Sequence, residues 1–294
     1  MGSIPVTERV TGHTELIGLI AKPIRHSMSP TMHNEAFKKL GLDYVYVVFE
    51  VDNDNLEDAV TGLRAMGVRG WNVSMPNKVA ITKYLDKLSP ASQIIGAVNT
   101  VVNDNGVLTG TITDGTGALK SLEEAGVDYK GKTLTIFGAG GAATAIQVQA
   151  ALDGAKEIKI FNIKDAHYAN GEATVKKLTE SKETNCIVSI GDLADLDAVK
   201  AALDASDIHI DATSCGMKPL EDVTPFPDKS FLRPDLFVMD VVYSPRQTKL
   251  LKWCEEVGCP HINGLGMMLW QGAAAFKLWT GHDMPTDHIK EIIF

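Results

Sequence analysis

Short apolar runs separated by helical stretches set the pattern of the first third of the chain. Residues 16–20 (Leu-Ile-Gly-Leu-Ile) are apolar without alternation, as in a strand buried on both faces. A helix is predicted over about 31–40, and residues 44–49 (Tyr-Val-Tyr-Val-Val-Phe) form a second strand rich in β-branched and aromatic side chains. Helical spacing of apolar positions returns over about 55–66, followed by a strand at Gly70-Trp71-Asn72-Val73. This βαβα order predicts a mainly parallel sheet with helices on its faces. Runs at 97–102 and 107–110 flank Asn103-Asp104-Asn105-Gly106, a hairpin signal.

A second βαβ series begins near Lys132. Residues 133–137 read as a strand, a glycine run opens a helix, and 157–161 read as the next strand. Further strands are expected at 186–189, 208–211 and 237–240, and the tail from about Met267 is helical, carrying Trp270, Phe276 and Trp279. The predicted fold class is α/β: an N-terminal α/β substrate domain with a mainly parallel sheet, plus a Rossmann-type dinucleotide-binding domain. The boundary is expected near Gly115, with the terminal helices folding back, so that residues 1–115 with 265–294 form one domain and 116–264 the other.

Composition adds exclusions. At 294 residues the chain is long for one domain and comfortable for two. With 45% hydrophobic and 22% charged residues it is ordinary for a soluble globular protein. A formal charge of −9 and the lack of a lysine/arginine block argue against nucleic acid, so an anionic substrate needs a locally built site. No apolar run reaches the ~18 residues of a membrane span. Residues 1–9 lack the basic-then-apolar order of a signal peptide, and a cytoplasmic protein is expected. A homodimer is compatible with the chain. Cys186, Cys215, Cys254 and Cys259 show no paired metal spacing and read as reduced, structural thiols. His13, His26 and His33 have no ligand partner at a usable spacing, so no metal is expected.

Candidate chemistry begins with Gly138-Ala139-Gly140-Gly141-Ala142-Ala143, between a predicted strand and a predicted helix. Gly138 and Gly140 permit a tight turn and close approach of backbone N–H groups to a pyrophosphate, and Ala143 takes the third small position. The helix N-terminus then faces the phosphates with its partial positive charge. After the next strand, Asn162-Ile163-Lys164-Asp165 falls where such folds meet the adenosine ribose. Asp165 is the available acid and Lys164 the nearby cation.

The first domain carries four motifs rich in small polar residues: Ser27-Met28-Ser29-Pro30, Asn72-Val73-Ser74-Met75-Pro76-Asn77-Lys78, Gly96-Ala97-Val98-Asn99-Thr100, and Thr113-Asp114-Gly115. Hydroxyl and amide side chains at strand ends suit a small polyhydroxylated ligand, because each can donate and accept. Singly, each could be turn chemistry; Ser29-Pro30 is equally a helix N-cap with proline at the first position. A lysine, a carboxylate and a dinucleotide loop together point to an oxidoreductase moving a proton and a hydride. The competing reading of Lys78 and Asp114 is a structural ion pair.

Taken in order, these motifs resemble the shikimate/quinate dehydrogenase family nearly end to end. The likeness continues through Ala212-Thr213-x-x-Gly216-Met217, Asp240-x-Val242-Tyr243-x-Pro245 and Gly264-x-Gly266-Met267 with Gln271. The stretches 23–27, 74–78 and 267–272 look most like the dual-specificity quinate/shikimate branch. The resemblance implies NAD(P)-dependent interconversion of shikimate or quinate with the 3-dehydro acid. It implies Lys78 as acid–base and Asp114 as the group orienting the reacting hydroxyl. Ser27 and Ser29 would bind the carboxylate; Ser74, Asn99, Asp114 and Gln271 the ring hydroxyls, with Tyr243 nearby. Gly138, Ala139, Gly140, Gly141, Ala142, Asn162 and Asp165 would hold the cofactor, with Gly264 against the nicotinamide. A non-catalytic NAD(H)-sensing regulator, or a dehydrogenase of a related cyclic polyol acid, is the alternative.

Three positions depart from the family pattern: Ile112 and Asp211 stand where asparagine is usual, and Ile163 where arginine commonly follows Asn162. Without a planar cation to clamp a 2′-phosphate, NAD is expected over NADP.

Overall fold

The computed structural model describes residues 10–294. The segment 1–9, read above for targeting signals, lies outside the described residues. The chain divides into two compact units: one runs to Thr113 and resumes at Gln271–Phe294, and the other is Asp114–Trp270.

The first unit begins with β1 (Glu15–Ala21), α1 (Ser29–Leu40), β2 (Tyr44–Glu50), α2 (Leu56–Ala65) and β3 (Gly70–Val73). A short α3 (Asn77–Ala80), β4 (Lys87–Leu88), α4 (Pro90–Ile95), β5 (Thr100–Asp104) and β6 (Val107–Thr111) follow. Its sheet has the order β2-β1-β3-β5-β6-β4. β1 pairs parallel with β2 and β3, and β4 with β6, whereas β5 runs antiparallel to both β3 and β6. The predicted hairpin is β5–β6, and its turn has Asn105 at φ 52° and Gly106 at φ 90°. Two left-handed residues in succession are what a tight right-twisted hairpin demands.

Residues 97–99, expected to begin a strand, instead precede β5 as irregular chain. The reason is local: the Val98 N–H donates to the Lys78 carbonyl at 2.9 Å, and the Asn99 N–H to the Thr111 carbonyl at 3.0 Å. These bonds tie the segment to α3 on one side and to the end of β6 on the other. β4 and α4 escaped the pattern because two and six residues are too short to show a period. The core of this unit is built on Trp71, Leu56, Ile81, Val101 and Leu108, all fully or almost fully buried.

The second unit runs through α5 (Asp114–Glu124), β7 (Thr133–Phe137), α6 (Gly141–Leu152), β8 (Glu157–Asn162), α7 (Tyr168–Glu180) and β9 (Ile187–Asp192). It continues with α8 (Leu196–Asp204), β10 (Ile208–Asp211), β11 (Phe237–Asp240), α9 (Lys249–Val257) and β12 (His261–Ile262). The sheet is parallel throughout, in the order β12-β11-β10-β7-β8-β9. Counted from β7, this is the strand order of a dinucleotide-binding sheet, whose order reverses at its first strand. The glycine run leaves that strand.

α10 (Leu265–Thr280) and α11 (Thr286–Ile293) close the chain. The return to the first unit falls inside α10, after Trp270. Its C-terminal half is anchored there by Trp279, whose Nε1 donates to the buried Val101 carbonyl at 2.9 Å. Gly70 makes room for that indole, since a Cβ there would overlap it. α11 packs on α1. Among the described residues no helix is long and apolar enough to cross a membrane.

Candidate active site

Small polar residues at strand ends in the first unit are joined by a buried hydrogen-bond relay. Ser29 lies near enough to the Tyr46 phenol to bear on its pKa, and Tyr46 Oη donates to Asn72 Oδ1 at 2.7 Å. Asn72 Nδ2 donates to the Asn99 carbonyl and to Thr100 Oγ1, each at 3.1 Å. Thr100 Oγ1 donates to Asn99 Oδ1 at 2.9 Å, and Asn99 Nδ2 reaches Thr113 Oγ1 at 3.1 Å. The Thr113 N–H donates back to Asn99 Oδ1 at 2.9 Å. Every member except Ser29 is buried, and burial holds the Tyr46 phenol protonated by pushing its pKa far above the ordinary value.

The relay brings several predicted residues into one frame. Ser29 is the first residue of α1 rather than its cap; Met28 holds the cap position without a side-chain bond. Ser27 Oγ accepts the Ser29 N–H at 3.2 Å, so the two serines are locked to each other. Ser74 follows β3, where its N–H donates to the Ile20 carbonyl at 3.1 Å. Lys78 lies half-buried on α3, its carbonyl held by Val98, the residue before Asn99. Hydrogen bonds therefore tie Lys78 to Val98 and Thr113 to the adjacent Asn99, and Asp114 is the next residue along the chain. Gln271 is half-buried on α10; its neighbour Gly272 lets that helix close on α1, where a Cβ would overlap Met32. Ile112, in place of the usual asparagine, is simply buried. His33 is fully buried and stacked on Tyr46 with ring centroids 4.5 Å apart; desolvation holds its pKa down near 3, so it packs as a neutral ring.

Sequence reading missed Tyr46 and the side-chain role of Asn72. Tyr46 sits in an apolar strand run and reads as core. The available signal was its hydroxyl, since a buried tyrosine needs a polar partner.

In the second unit Asp114 opens α5, where the helix N-terminus favours its charge. Gly115 beside it serves packing: a Cβ there would overlap the Ala145 carbonyl of α6. At the cofactor loop, Gly138 has φ 103° and a Cβ would meet the Ala212 carbonyl at 2.7 Å. Gly140 caps α6 in extended conformation with no side-chain bond to the first-turn amides. No atom lies within 4 Å of a Cβ built on Gly140 or Gly141, and Gly141 and Ala142 are exposed, while Ala139 is buried beneath. An uncapped helix N-terminus behind open backbone fits a pyrophosphate.

The ribose-side loop is partly self-satisfied. Asn162 Nδ2 donates to Asp165 Oδ1 at 2.8 Å, and the same oxygen accepts the His167 N–H at 2.9 Å. Lys164 lies 3.7 Å from Asp192 and is largely exposed, as is Ile163. Tyr243 is half-exposed after β11. Gly264 donates its N–H to the Val242 carbonyl at 3.1 Å and leaves no room for a Cβ against Val241. Among the described residues no group of three or more side chains is arranged to hold a metal.

Residues 19–101 match the model of the shikimate dehydrogenase substrate binding domain, and residues 264–294 that of the shikimate 5′-dehydrogenase C-terminal domain. A shikimate dehydrogenase (NADP(+)) of Listeria innocua is 63% identical over 289 residues, covering 98% of this chain and 99% of the relative. The chain belongs to the shikimate dehydrogenase family. It is an oxidoreductase, and the regulator and altered-substrate alternatives are not favoured. The solved structure of shikimate 5-dehydrogenase from Listeria monocytogenes in complex with shikimate and NAD is 62% identical, with TM-score 0.95 over 98% of this chain and 99% of that one. Quinate dehydrogenase from Corynebacterium glutamicum in complex with NAD is 28% identical, with TM-score 0.83 over 95% of this chain and 98% of that one. The relatives' names favour NADP where Ile163 led to an expectation of NAD.

Proposed function

We propose that this chain interconverts shikimate, and quinate as a related substrate, with the 3-dehydro acid at the expense of NAD(P). In the direction of oxidation, the hydroxyl proton passes to Lys78 Nζ while hydride leaves the same carbon. Asp114 accepts a hydrogen bond from that hydroxyl and orients it toward Lys78. Ser27 and Ser29 take the substrate carboxylate; Ser74, Asn99 and Gln271 take the remaining hydroxyls, with Tyr243 at the edge. Bound NAD(P) supplies the hydride acceptor. Gly138 to Ala142 and the α6 N-terminus would hold its pyrophosphate, Asn162 and Asp165 its adenosine ribose, and Gly264 its nicotinamide. Residues 1–115 with 265–294 would thus serve substrate, and 116–264 the dinucleotide.

The observation carrying this reading is the relay that fastens both Lys78 and Thr113 to Val98–Asn99. A pair that must act on one hydroxyl needs fixed backbone, because misplacement by about 1 Å costs on the order of 100-fold in rate. Two lines bear on the cofactor. The relatives' names support NADP; the structure of the Listeria monocytogenes relative, with NAD bound, and Ile163 in place of a phosphate-clamping arginine support NAD. The chain accepts both in this reading.

Lys78→Ala should lower kcat about 10²- to 10⁴-fold, the usual contribution of a general acid–base, with little change in substrate KM. Steady-state kinetics on shikimate, quinate and a panel of cyclic hydroxy acids checks this. Turnover within threefold of wild type would remove Lys78 from the role, and a better substrate elsewhere in the panel would replace the substrate assignment.

A further inference from the structure

Asp211 and Asp240 end the neighbouring parallel strands β10 and β11 in register with each other. Partners at that spacing are about 4.8 Å apart and leave the same face of the sheet. Each residue is only 1% exposed. Their donors are unequal. Asp240 Oδ1 accepts the Val242 N–H at 2.9 Å, and Oδ2 accepts the Thr248 hydroxyl at 2.6 Å. Asp211 Oδ1 accepts the Thr213 N–H at 2.9 Å, but its Oδ2 is buried without a partner. Two ionised carboxylates cannot share such a site, whereas a proton on Asp211 Oδ2 removes one of the two charges. A protonated Asp211 then offers one acceptor and one donor, as the asparagine usual at this position would.

The two carboxyls underlie both ends of the cofactor site. Asp211 holds Thr213, and the carbonyl of the intervening Ala212 limits the space at Gly138. The Asp211 carbonyl accepts the Val241 N–H at 2.9 Å, Asp240 holds Val242, and the Val242 carbonyl accepts the Gly264 N–H at 3.1 Å. Burial first, and the charge of Asp240 second, raise the Asp211 carboxyl to about 7. Among the described residues no cation bears on either carboxyl. β7 contributes Phe137 in register, and α9 contributes Thr248 and Cys254. The loop after β10 contributes Cys215, and β10 itself His209. Burial raises both thiols and lowers His209 to about 4, so all three are neutral at pH 7.

We propose that Asp211 and Asp240 share a single proton and act as positioning residues for the dinucleotide, so that losing this proton loosens the backbone under the glycine loop and the nicotinamide. The inference rests on the reading that Gly264 lies against the nicotinamide. Because the native state keeps a proton that the unfolded chain releases near pH 4, this pair's contribution to stability falls as pH rises from about 4 to about 7.

The test measures NADH dissociation constants by fluorescence from pH 6 to 8.5, NADH being chosen because its phosphates do not titrate there. Wild type should weaken about tenfold across the range, the linkage of roughly one proton over one pH unit, while Asp211→Asn changes less than twofold. Asp240→Asn removes the neighbouring charge but not the burial, so its profile should move to lower pH than that of wild type. Equal pH slopes in wild type and both variants overturn the inference. Failure of all three proteins to bind either NADH or NADPH overturns the functional reading and the positioning role with it. Melting temperatures of the free proteins test the proton separately. The gap between Asp211→Asn and wild type should widen from pH 5 to 8, and a constant gap overturns the shared proton.

Discussion

Tyr46 donates a hydrogen bond to Asn72 at 2.7 Å, so its hydroxyl anchors the side-chain frame that runs through Asn72 to Asn99. Tyr46→Phe removes that bond and leaves Asn72 Oδ1 buried without its donor. An orphaned buried acceptor costs about 1–3 kcal/mol, and urea denaturation should report that loss. The same variant should raise KM for substrate more than it lowers kcat, because the frame it loosens carries Asn99, whose proposed role is to bind. At this scale the sequence was readable for residues that sit in short polar motifs: Ser27, Ser29, Ser74, Lys78, Asn99 and Asp114 could all be named from spacing and family likeness. Tyr46 could not, because one hydroxyl in an apolar run carries no positional signal until the neighbouring strand brings Asn72 beside it.

Elements show a similar division. Strands with four or more consecutive apolar or β-branched residues, such as β1, β2 and β7, follow from composition alone, and Asn105-Gly106 specified its hairpin through two left-handed residues. The chain at 97–99 has the same apolar look and folds otherwise, because Lys78 of α3 and Thr111 at the end of β6 supply its hydrogen-bond partners. Helix contacts depend on equally small features. Gly115 lets α5 close on α6, with no space for a methyl group against the Ala145 carbonyl. Gly115→Ala should force the helices apart and destabilise the protein by about 1–3 kcal/mol, the usual cost of overpacking. Since Asp114 is the adjacent residue, kcat should fall along with the thermal midpoint. An unchanged midpoint would count against the close approach.

For the molecule as a whole, the all-parallel sheet with β7 at its reversal point is the feature that makes a dinucleotide site from a glycine run. Ligand that binds only the native state stabilises it by mass action, so either cofactor at about 100 times its Kd should add roughly 2.7 kcal/mol. Thermal unfolding with NAD⁺ and with NADP⁺, each titrated to saturation, gives both dissociation constants. Comparable midpoint shifts at similar concentrations are expected. A shift confined to one cofactor would assign that cofactor alone.

The sequence by itself determined the α/β class, the motif residues and the enzyme family, because those depend on apolar periodicity and on side-chain types held at fixed short spacing. Tertiary structure alone decided which distant residues meet: Tyr46 with Asn72, Lys78 with Val98, and Asp211 beside Asp240. Those meetings follow from strand order and register, which pair residues tens of positions apart. At Asp211 the sequence shows only an acid in place of an amide. Burial next to a second carboxyl changes its chemistry, because a charge that water would solvate has to give way to a proton when no donor reaches its outer oxygen.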